Sequence, residues 1–469
     1  MQLERDTIVA ISTPPGRGGI GIVRLSGPDA QTIAAPLLRL RTPLAPTRAC
    51  FGEVLDEEGA VLDEALITYF EAPHSYTAED VIEIAAHGSP VLLAYLVRAA
   101  VSRGARLAEP GEFTQRAFLN GRLDLTQAEA VEDLIASQTL YQAKLAAAQL
   151  GGSLARTVAP AKEQLVRLIA MLEAGIDFAE DEVELASANE IRGHLDSVRA
   201  PLERLAASYA HGRVVREGFT LAIVGRPNAG KSSLFNRLLD RDRAIVTAQP
   251  GTTRDPIVER WSLAGIPVEL VDTAGLRAVP DGPECEAERA GIVRTQATMA
   301  EADLVMLVLD ATAGLGTATS AETATIVGAE EVRALRALEG RPHLLVINKI
   351  DLVACPPVLA EGTEGPMRTS AVTGEGLDDL KRAIVDRLTG GSAAGESESA
   401  LLTNLRQHHA VDASLASLEA AERALGTSLP QEMLLLDLYR CLEALDALTG
   451  ATTTDDILRL IFSTFCIGK

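Results

Sequence analysis

The feature that most narrows the fold of this chain is an eight-residue run, Gly225-Arg226-Pro227-Asn228-Ala229-Gly230-Lys231-Ser232, of the form G-x-x-x-x-G-K-[ST]. It follows the apolar stretch Thr220–Val224, which reads as a buried strand, and precedes the helical pattern of Ser233–Leu239. A strand that delivers its loop into a helix N-terminus lets backbone N–H groups close around a phosphate. The run therefore predicts a parallel α/β layer, and buried-type strands at Val268–Val271, Val305–Leu309 and His343–Ile347, separated by helix-length segments, supply one.

The chemistry of the loop follows from its residues. Lys231 reaches β and γ phosphates, the Ser232 hydroxyl ligates magnesium, and Asn228, Ala229, Gly230 and Ser233 complete the cradle. Val271-Asp272-Thr273-Ala274-Gly275 ends a second strand with a carboxylate for the magnesium shell and a glycine amide that senses the γ phosphate. Between the two lies a threonine-bearing segment, Gly251-Thr252-Thr253-Arg254-Asp255. Asn348-Lys349-Ile350-Asp351 follows another strand, and the Asp351 carboxylate can accept from both guanine N1–H and N2–H₂. Adenine lacks that pair of donors, so Asp351 selects GTP over ATP, with Ser370-Ala371 completing the base edge. Elements in this order at successive strand ends predict a GTPase domain. Leu276 stands where Ras-like proteins carry the glutamine that orients water, so activation has to come from elsewhere.

At 469 residues the chain is long enough for two or three cores. Its 47% hydrophobic content argues against disorder over most of that length. The formal net charge of −22 opposes nonspecific attraction to phosphate backbones or anionic lipid, so any nucleic-acid contact needs a local basic patch. Five widely spaced cysteines without a C-x-x-C pair fit a reducing compartment. The N-terminus lacks a signal-peptide pattern, and the strongest apolar run, Leu304–Leu309, is too short for a membrane span. A cytoplasmic protein with no membrane partner is expected.

Residues 1–120 mix short β-rich runs (Thr7–Ile11, Ile20–Leu25, Ala65–Phe70, Val81–Ala85) with a helical stretch, Pro90–Ser102, and predict an α+β domain. Residues 121–217 predict the first part of a helical domain, 218–388 the α/β domain, and 389–469 a second helical part. Thr389–Ser399 reads as a connector, and Leu401–Leu448 as helix. The two helical parts share a composition, so the economical fold is a multidomain one: an α+β N-terminal domain, then a helical domain interrupted by an inserted Ras-like P-loop domain.

Further motifs carry a resemblance along the whole chain. They are Pro14-Pro15-Gly16-Arg17-Gly18-Gly19-Ile20-Gly21, Pro110-Gly111-Glu112-Phe113-Thr114-Gln115-Arg116-Ala117-Phe118-Leu119-Asn120, Leu123-Asp124-Leu125-Thr126-Gln127-Ala128-Glu129-Ala130, and the terminal Phe465-Cys466-Ile467-Gly468-Lys469. With the nucleotide motifs, the chain resembles the MnmE (TrmE) family of tRNA-modifying GTPases. The resemblance implies a homodimer that hydrolyses GTP under potassium stimulation. With an FAD-dependent partner of the MnmG/GidA family, it adds an aminomethyl or carboxymethylaminomethyl group at carbon 5 of the wobble uridine, position 34, of certain tRNAs.

The implied ligand sets map onto this sequence residue by residue. Potassium falls to Asn228, Thr247, Gln249 and Thr252, and magnesium to Ser232 and Thr253, while Ala248, Pro250 and Gly251 belong to the same GTP-binding loop. The implied catalytic set is Lys231, Asp272, Gly275, the water-orienting Glu288, and Cys466. A reduced folate (5-formyl- or 5,10-methylene-tetrahydrofolate) falls to Arg24, Glu83, Arg122 and Lys469, the cations meeting glutamyl carboxylates and Glu83 the pterin donors. His87 occupies a family His-Gly position and otherwise shapes a turn. For Cys466 two readings stand: a packed tail cysteine, or a participant in the modification. The acidic stretch Glu173–Glu184 reads as a solvated face that repels RNA. The rival from another class is a regulatory GTPase of ribosome assembly or signalling without modification chemistry.

Overall fold

The structure, a computed structural model, describes residues 6–177, 187–226, 228–239, 258–272, 302–312, 338, 340–353, 365–389, 400–427, 431–451, 461–462, 465–466 and 468, with only the backbone at Val258, Glu259, Asp272 and Gln431. The chain divides into two compact units. One gathers Met1–Glu132, Gln149–His194 and Ala416–Lys469, and the other Asp133–Ala148 and Leu195–Leu415.

The first unit is built on a seven-stranded sheet in the order β3-β4-β5-β6-β2-β1-β7. Its strands are β1 (Ile8–Ile11), β2 (Gly18–Ser26), β3 (Leu38–Leu40), β4 (Ala49–Leu55), β5 (Val61–Phe70), β6 (Val81–Gly88) and β7 (Arg106–Leu107). All neighbours are antiparallel except β1 and β7. Side chains alternate across a strand. Val23 and Leu25 of β2, and Ile82 and Ile84 of β6, therefore enter one core with Leu93, Leu96 and Ala100 of helix α2 (Pro90–Val101). The short helix α1 (Ala30–Ala34) adds Ile33 and Ala34 to it.

Arg24 and Glu83, cross-strand partners in the β2/β6 register, have the opposite parity. They share that other face with the cluster of Ile8, Ala10, Ala108 and Phe113, the last from helix α3 (Glu112–Leu119). Against α3 lies an ion cluster centred on a buried arginine. Arg116, 2% exposed, bonds Asp6, Glu79 and Glu112, while Arg106 bonds Asp6 and Glu112. The Gly-Glu-Phe-Thr-Gln-Arg motif thus supplies both halves of an internal charge network.

Helices α4 (Leu125–Ala136), α5 (Leu140–Leu150), α6 (Ser153–Asp177) and α7 (Ala188–Glu217) follow. The last of them, α7, runs without a break to Glu217. In the first unit, Lys162 of α6 pairs with Asp446 at 2.5 Å.

The second unit holds a six-stranded sheet in the order β13-β12-β11-β8-β10-β9. The strands are β8 (Phe219–Gly225), β9 (Val258–Leu263), β10 (Ile266–Asp272), β11 (Leu304–Asp310), β12 (His343–Asn348) and β13 (Met367–Arg368). Every pairing is parallel except β9 with β10. Leu221, Ile223, Met306 and Val308 point to one side, where Leu234 and Leu238 of helix α8 (Lys231–Leu239) and Leu380 and Ile384 of helix α9 (Leu377–Thr389) pack. Val224, Val305, Leu307 and Leu309 join Leu338 and Leu345 on the other side. The central strands are buried on both faces, which is why they read as continuous apolar runs.

Helix α7 meets β8 through the single residue Gly218, whose N–H closes on Val214 O at 3.0 Å. Gly218 has φ +75°, and a Cβ there would lie 2.7 Å from Pro267 O. Gln142 donates to the carbonyls of Val215 and Arg216, 2.9 Å each, and Arg216 pairs with Asp133 at 2.6 Å. The last turn of α7 is thus capped by side chains from the 133–148 segment.

Several element bounds differ from the sequence reading. Strands β3, β4, β7, β9 and β13 went unread: β3, β7 and β13 are two or three residues long, and β4 and β9 alternate apolar with polar or small residues as antiparallel strands do. Thr389, placed in the connector, closes α9, and residues 390–399 lie outside the described set. The helical stretch expected from Leu401 begins at Leu405, as helices α10 (Leu405–Gly426) and α11 (Gln431–Thr449). Of the acidic stretch, residues 178–184 lie outside the described set. Among the described residues no helix is long and apolar enough to cross a membrane.

Candidate functional site

The loop between β8 and α8 is held in a phosphate-cradle shape by its own residues. Asn228 adopts φ +64°, and Gly230 φ +86°. A Cβ on Gly230 would stand 2.3 Å from Asn348 Nδ2, so the close approach of β12 to the loop requires glycine here. Lys231 opens α8, 9% exposed, and its ammonium donates to the loop's own carbonyls, Gly225 O at 2.9 Å and Arg226 O at 2.8 Å. The charge is therefore folded over the mouth of the loop at the positive end of a helix. Ser232 and Ser233 are exposed in the first turn.

Asn348, 1% exposed, ties three segments together. Its Nδ2 donates to Ala229 O at 3.1 Å and its Oδ1 accepts from the Ala371 N–H at 3.1 Å. The phosphate loop, the end of β12 and the 370–376 turn are thereby one hydrogen-bonded assembly. Lys349 sits in the left-handed region, φ +66°, and its ammonium pairs with Asp310 at 2.6 Å. Asp351 is exposed in the short 3₁₀ turn Ile350–Leu352. Ser370 is fully buried and its hydroxyl accepts the Thr373 N–H at 3.1 Å. Its side chain thus serves the turn, and Ala371 supplies the backbone that meets Asn348.

Asp310 was not singled out in the sequence. Burial alone would raise its carboxyl, but bonds from Lys349 and Thr312 outweigh that and hold it below the usual carboxylate range. The signal available was an aspartate ending an apolar strand, as Asp272 ends β10. Asp272 Cα lies in register with Ile223 of β8. Thr247, Ala248, Gln249, Pro250, Gly251, Thr252, Thr253, Thr273, Ala274, Gly275 and Glu288 lie outside the described residues.

In the first unit, three of the four candidate folate residues are brought together. Arg24 and Glu83 form a two-point pair, Nε to Oε1 at 2.9 Å and Nη2 to Oε1 at 2.8 Å. The arginine charge is thus already engaged by the residue expected to read the pterin. The residue that organises the group is Tyr76, which the sequence reading missed. Its ring faces Arg24 at 5.4 Å and Arg122 at 5.2 Å, and its carbonyl accepts from Arg122 at 2.8 Å. Phe113 meets the same Arg24 at 5.5 Å. Guanidinium and aromatic faces attract through the ring quadrupole, so the cluster is self-consistent before any ligand arrives. Burial pushes the Tyr76 hydroxyl up, although Thr114 and the two arginines oppose it.

The tail reaches this face. Phe462 and Phe465 pack with Leu125, Ala128 and Val131, and Cys466 O accepts from the Gly111 N–H at 3.4 Å. Gly468 has φ +97°, and a Cβ on it would lie 2.4 Å from Ile11 O. Its carbonyl accepts from Ser12 at 3.1 Å and Arg24 at 3.4 Å. Cys466 is exposed, and Lys469 lies outside the described residues. His87 is the penultimate residue of β6 and does not merely shape a turn, for its Nδ1 meets Asp63 at 2.7 Å.

Comparison with known proteins decides the family. A family model described as the MnmE helical domain matches residues 125–466, and one described as GTP-binding protein TrmE N-terminus matches residues 7–122. The tRNA modification GTPase MnmE of Koribacter versatilis (strain Ellin345) is 56% identical over 469 residues, covering 99% of both chains. This chain belongs to the MnmE (TrmE) family. MnmE relatives from Chloroflexus aurantiacus (44% identical, 99% of this chain and 100% of the other) and Aquifex aeolicus (40%, with the same coverage) match equally end to end. The MnmE helical-domain match runs across both helical stretches and the six-stranded sheet between them, and the TrmE N-terminal match covers the seven-stranded sheet.

Proposed function

We propose that this chain binds GTP along the loop 225–232 and the 348–351 edge, hydrolyses it to GDP and phosphate, and acts in modifying tRNA. The carrying observation is Asn348, bonded at once to Ala229 and Ala371, because it makes the phosphate-binding and base-reading segments a single rigid cradle. Lys231 exchanges the Gly225 and Arg226 carbonyls for phosphate oxygens, and Asp351, exposed beside Lys349, accepts the two guanine donors. The relatives' name, tRNA modification GTPase, supports tRNA as the substrate of the cycle.

The donor set fits the ions of the family. Ser232 presents an exposed hydroxyl at the helix start, and with Thr253 and Asp272 it forms a hard oxygen set suited to magnesium, which neutralises phosphate charge when bound. Asn228, exposed at the crest of the loop, with Thr247, Gln249 and Thr252, offers neutral oxygens to potassium, the cation that replaces an arginine finger. Gly275 and Glu288 are assigned to the γ phosphate and the attacking water. The Arg24–Glu83–Tyr76–Arg122 cluster fits a reduced folate, 5-formyl- or 5,10-methylene-tetrahydrofolate, which supplies the one-carbon unit. Its polar atoms can bind pterin donors and glutamyl carboxylates, and Lys469 and Cys466 follow from the docked tail.

The full reading is a cytoplasmic homodimer with four sequence segments: 1–120, 121–217, 218–388 and 389–469. It works with an FAD-dependent MnmG/GidA-family partner at carbon 5 of the wobble uridine. The test is nucleoside analysis of tRNA from a deletion strain, alongside GTPase rates of purified protein in potassium and in sodium. Loss of the wobble modification together with faster hydrolysis in potassium is expected. Unchanged tRNA in the deletion strain would instead favour a regulatory GTPase, and equal rates in both salts would remove the potassium assignment.

A further inference from the structure

We infer that Asp310 is a positioning residue for the guanine base, acting through Lys349: it holds the lysine's ammonium aside so that the aliphatic stem forms a fixed surface beside the phosphate loop. The inference rests on the nucleotide reading above and deepens it.

Asp310 is the last residue of β11 and stands in register with Asn348 at the end of β12. Its two oxygens are divided. Oδ1 accepts the Thr312 N–H at 2.9 Å and the Thr312 hydroxyl at 2.7 Å, and Oδ2 accepts from Lys349 Nζ at 2.6 Å. The carboxylate is thus oriented by Thr312 before it meets the lysine. The neighbouring Ala311 N–H bonds Asn348 O at 2.9 Å, which fixes the spacing of the two strand ends.

Lys349 needs such an anchor. A non-glycine residue at φ +66°, ψ +34° occupies a sparsely populated region and persists there when its surroundings over-determine it. Its stem runs past the loop, for a Cβ built on Gly230 would lie 3.7 Å from Lys349 Cε. The end of the apolar stem therefore stands beside the phosphate loop, while the charge is drawn to Asp310. A flat purine ring packs well on such a stem. Charge matters as well: with the ammonium neutralised by Asp310, Asp351 two residues on keeps its carboxylate for the base.

The experiment compares wild type, Asp310→Asn, Asp310→Ala, Lys349→Ala and the double variant Asp310→Ala/Lys349→Ala, measuring GDP and GTP affinity with a fluorescent guanine nucleotide and turnover at saturating GTP. Asp310→Asn keeps the Thr312 acceptor and serves where the alanine variant folds poorly. Either Asp310 variant is expected to weaken both nucleotides about tenfold, the loss of one charge-assisted contact, with kcat at saturation within about twofold of wild type. Asp310→Ala added to Lys349→Ala should weaken binding no further. Wild-type affinity in the Asp310 variants, additive losses in the double variant, or a fall in kcat matching the fall in kcat/KM each overturns the inference alone. A wild-type protein that binds no guanine nucleotide overturns the nucleotide reading and the inference with it.

Discussion

Asn348 Nδ2 lies 3.1 Å from the carbonyl of Ala229, 119 residues earlier in the chain, and this bond fastens the base-reading strand end to the phosphate loop. The carboxamide is almost fully enclosed, so both of its ends have been taken out of water and depend on these protein partners.

Replacing Asn348 with alanine should therefore act on stability and on binding together. It strands the Ala229 carbonyl in a buried place and removes the acceptor of the half-buried Ala371 N–H, a cost of about 1–3 kcal/mol. Urea unfolding followed by Trp261 fluorescence, a ring buried in the same core, reads the first effect. Nucleotide titration reads the second. Unchanged unfolding would mean that the bond contributes nothing net.

Lys231→Ala removes the cation that caps Gly225 and Arg226. Because those carbonyls lie at the mouth of the loop, water replaces the ammonium and the fold should survive, with a melting temperature near wild type. GTP affinity is expected to fall by about 1.5–3 kcal/mol, the range for a hydrogen bond to a charged group. Retained affinity would remove the loop from the site.

The tail offers a steric test. Gly468→Ala places a methyl where Ile11 O already stands, at a backbone angle that side chains rarely adopt. The tail should lift from β1 and expose its preceding residues to protease, and folate titrated by calorimetry should bind more weakly, since the carbonyl beside Arg24 moves with it. A variant with wild-type protease resistance would show that the contact is not needed for docking.

The ion cluster around buried Arg116 gives a pH dependence of defined sign. Burial would raise the carboxyls of Asp6 and Glu112, but hydrogen bonds and charge from Arg106 and Arg116 outweigh it, so both titrate below their ordinary values of 3.8 and 4.5. A carboxyl lowered by folding adds stability that is complete above the ordinary value and lost as pH falls through the folded one. Replacing Arg116 with Gln should cost about 1.5–3 kcal/mol at neutral pH, because the buried guanidinium that serves Asp6, Glu79 and Glu112 is lost while Arg106 still faces Asp6 and Glu112. That difference from wild type, measured by calorimetric unfolding, should shrink below about pH 4.5 as the carboxyls take up protons. A difference independent of pH would assign the role of Arg116 to packing.

The nucleotide site was legible because its chemistry is local: Gly230, Lys231 and Ser232 are consecutive, and Asn348 to Asp351 span one turn. What stayed hidden depends on pairs that only folding brings together. Asp310 meets Lys349 across 39 residues, and nothing in Leu-Asp-Ala-Thr distinguishes a clasp from an ordinary strand end. Tyr76 gathers arginines from β2 and from the turn after α3, a convergence no spacing rule encodes. For Arg24, Glu83 and Arg122 the sequence supplied the residues through family likeness, while the pairing of Arg24 with Glu83 came from the register of β2 on β6 and Arg122 joins through Tyr76. Short strands were missed for an energetic reason, since two or three residues carry too little periodicity to outweigh turn-forming neighbours.

The junction at Gly218 leaves no slack between a long lever and a chemical centre. With its amide closed on Val214 and no room for a side chain against Pro267, this residue passes directly from the last turn of α7 to the first position of the strand that terminates at the phosphate cradle. A tilt of that helix end would have only β8 to run along before it reached Gly225 and the cradle.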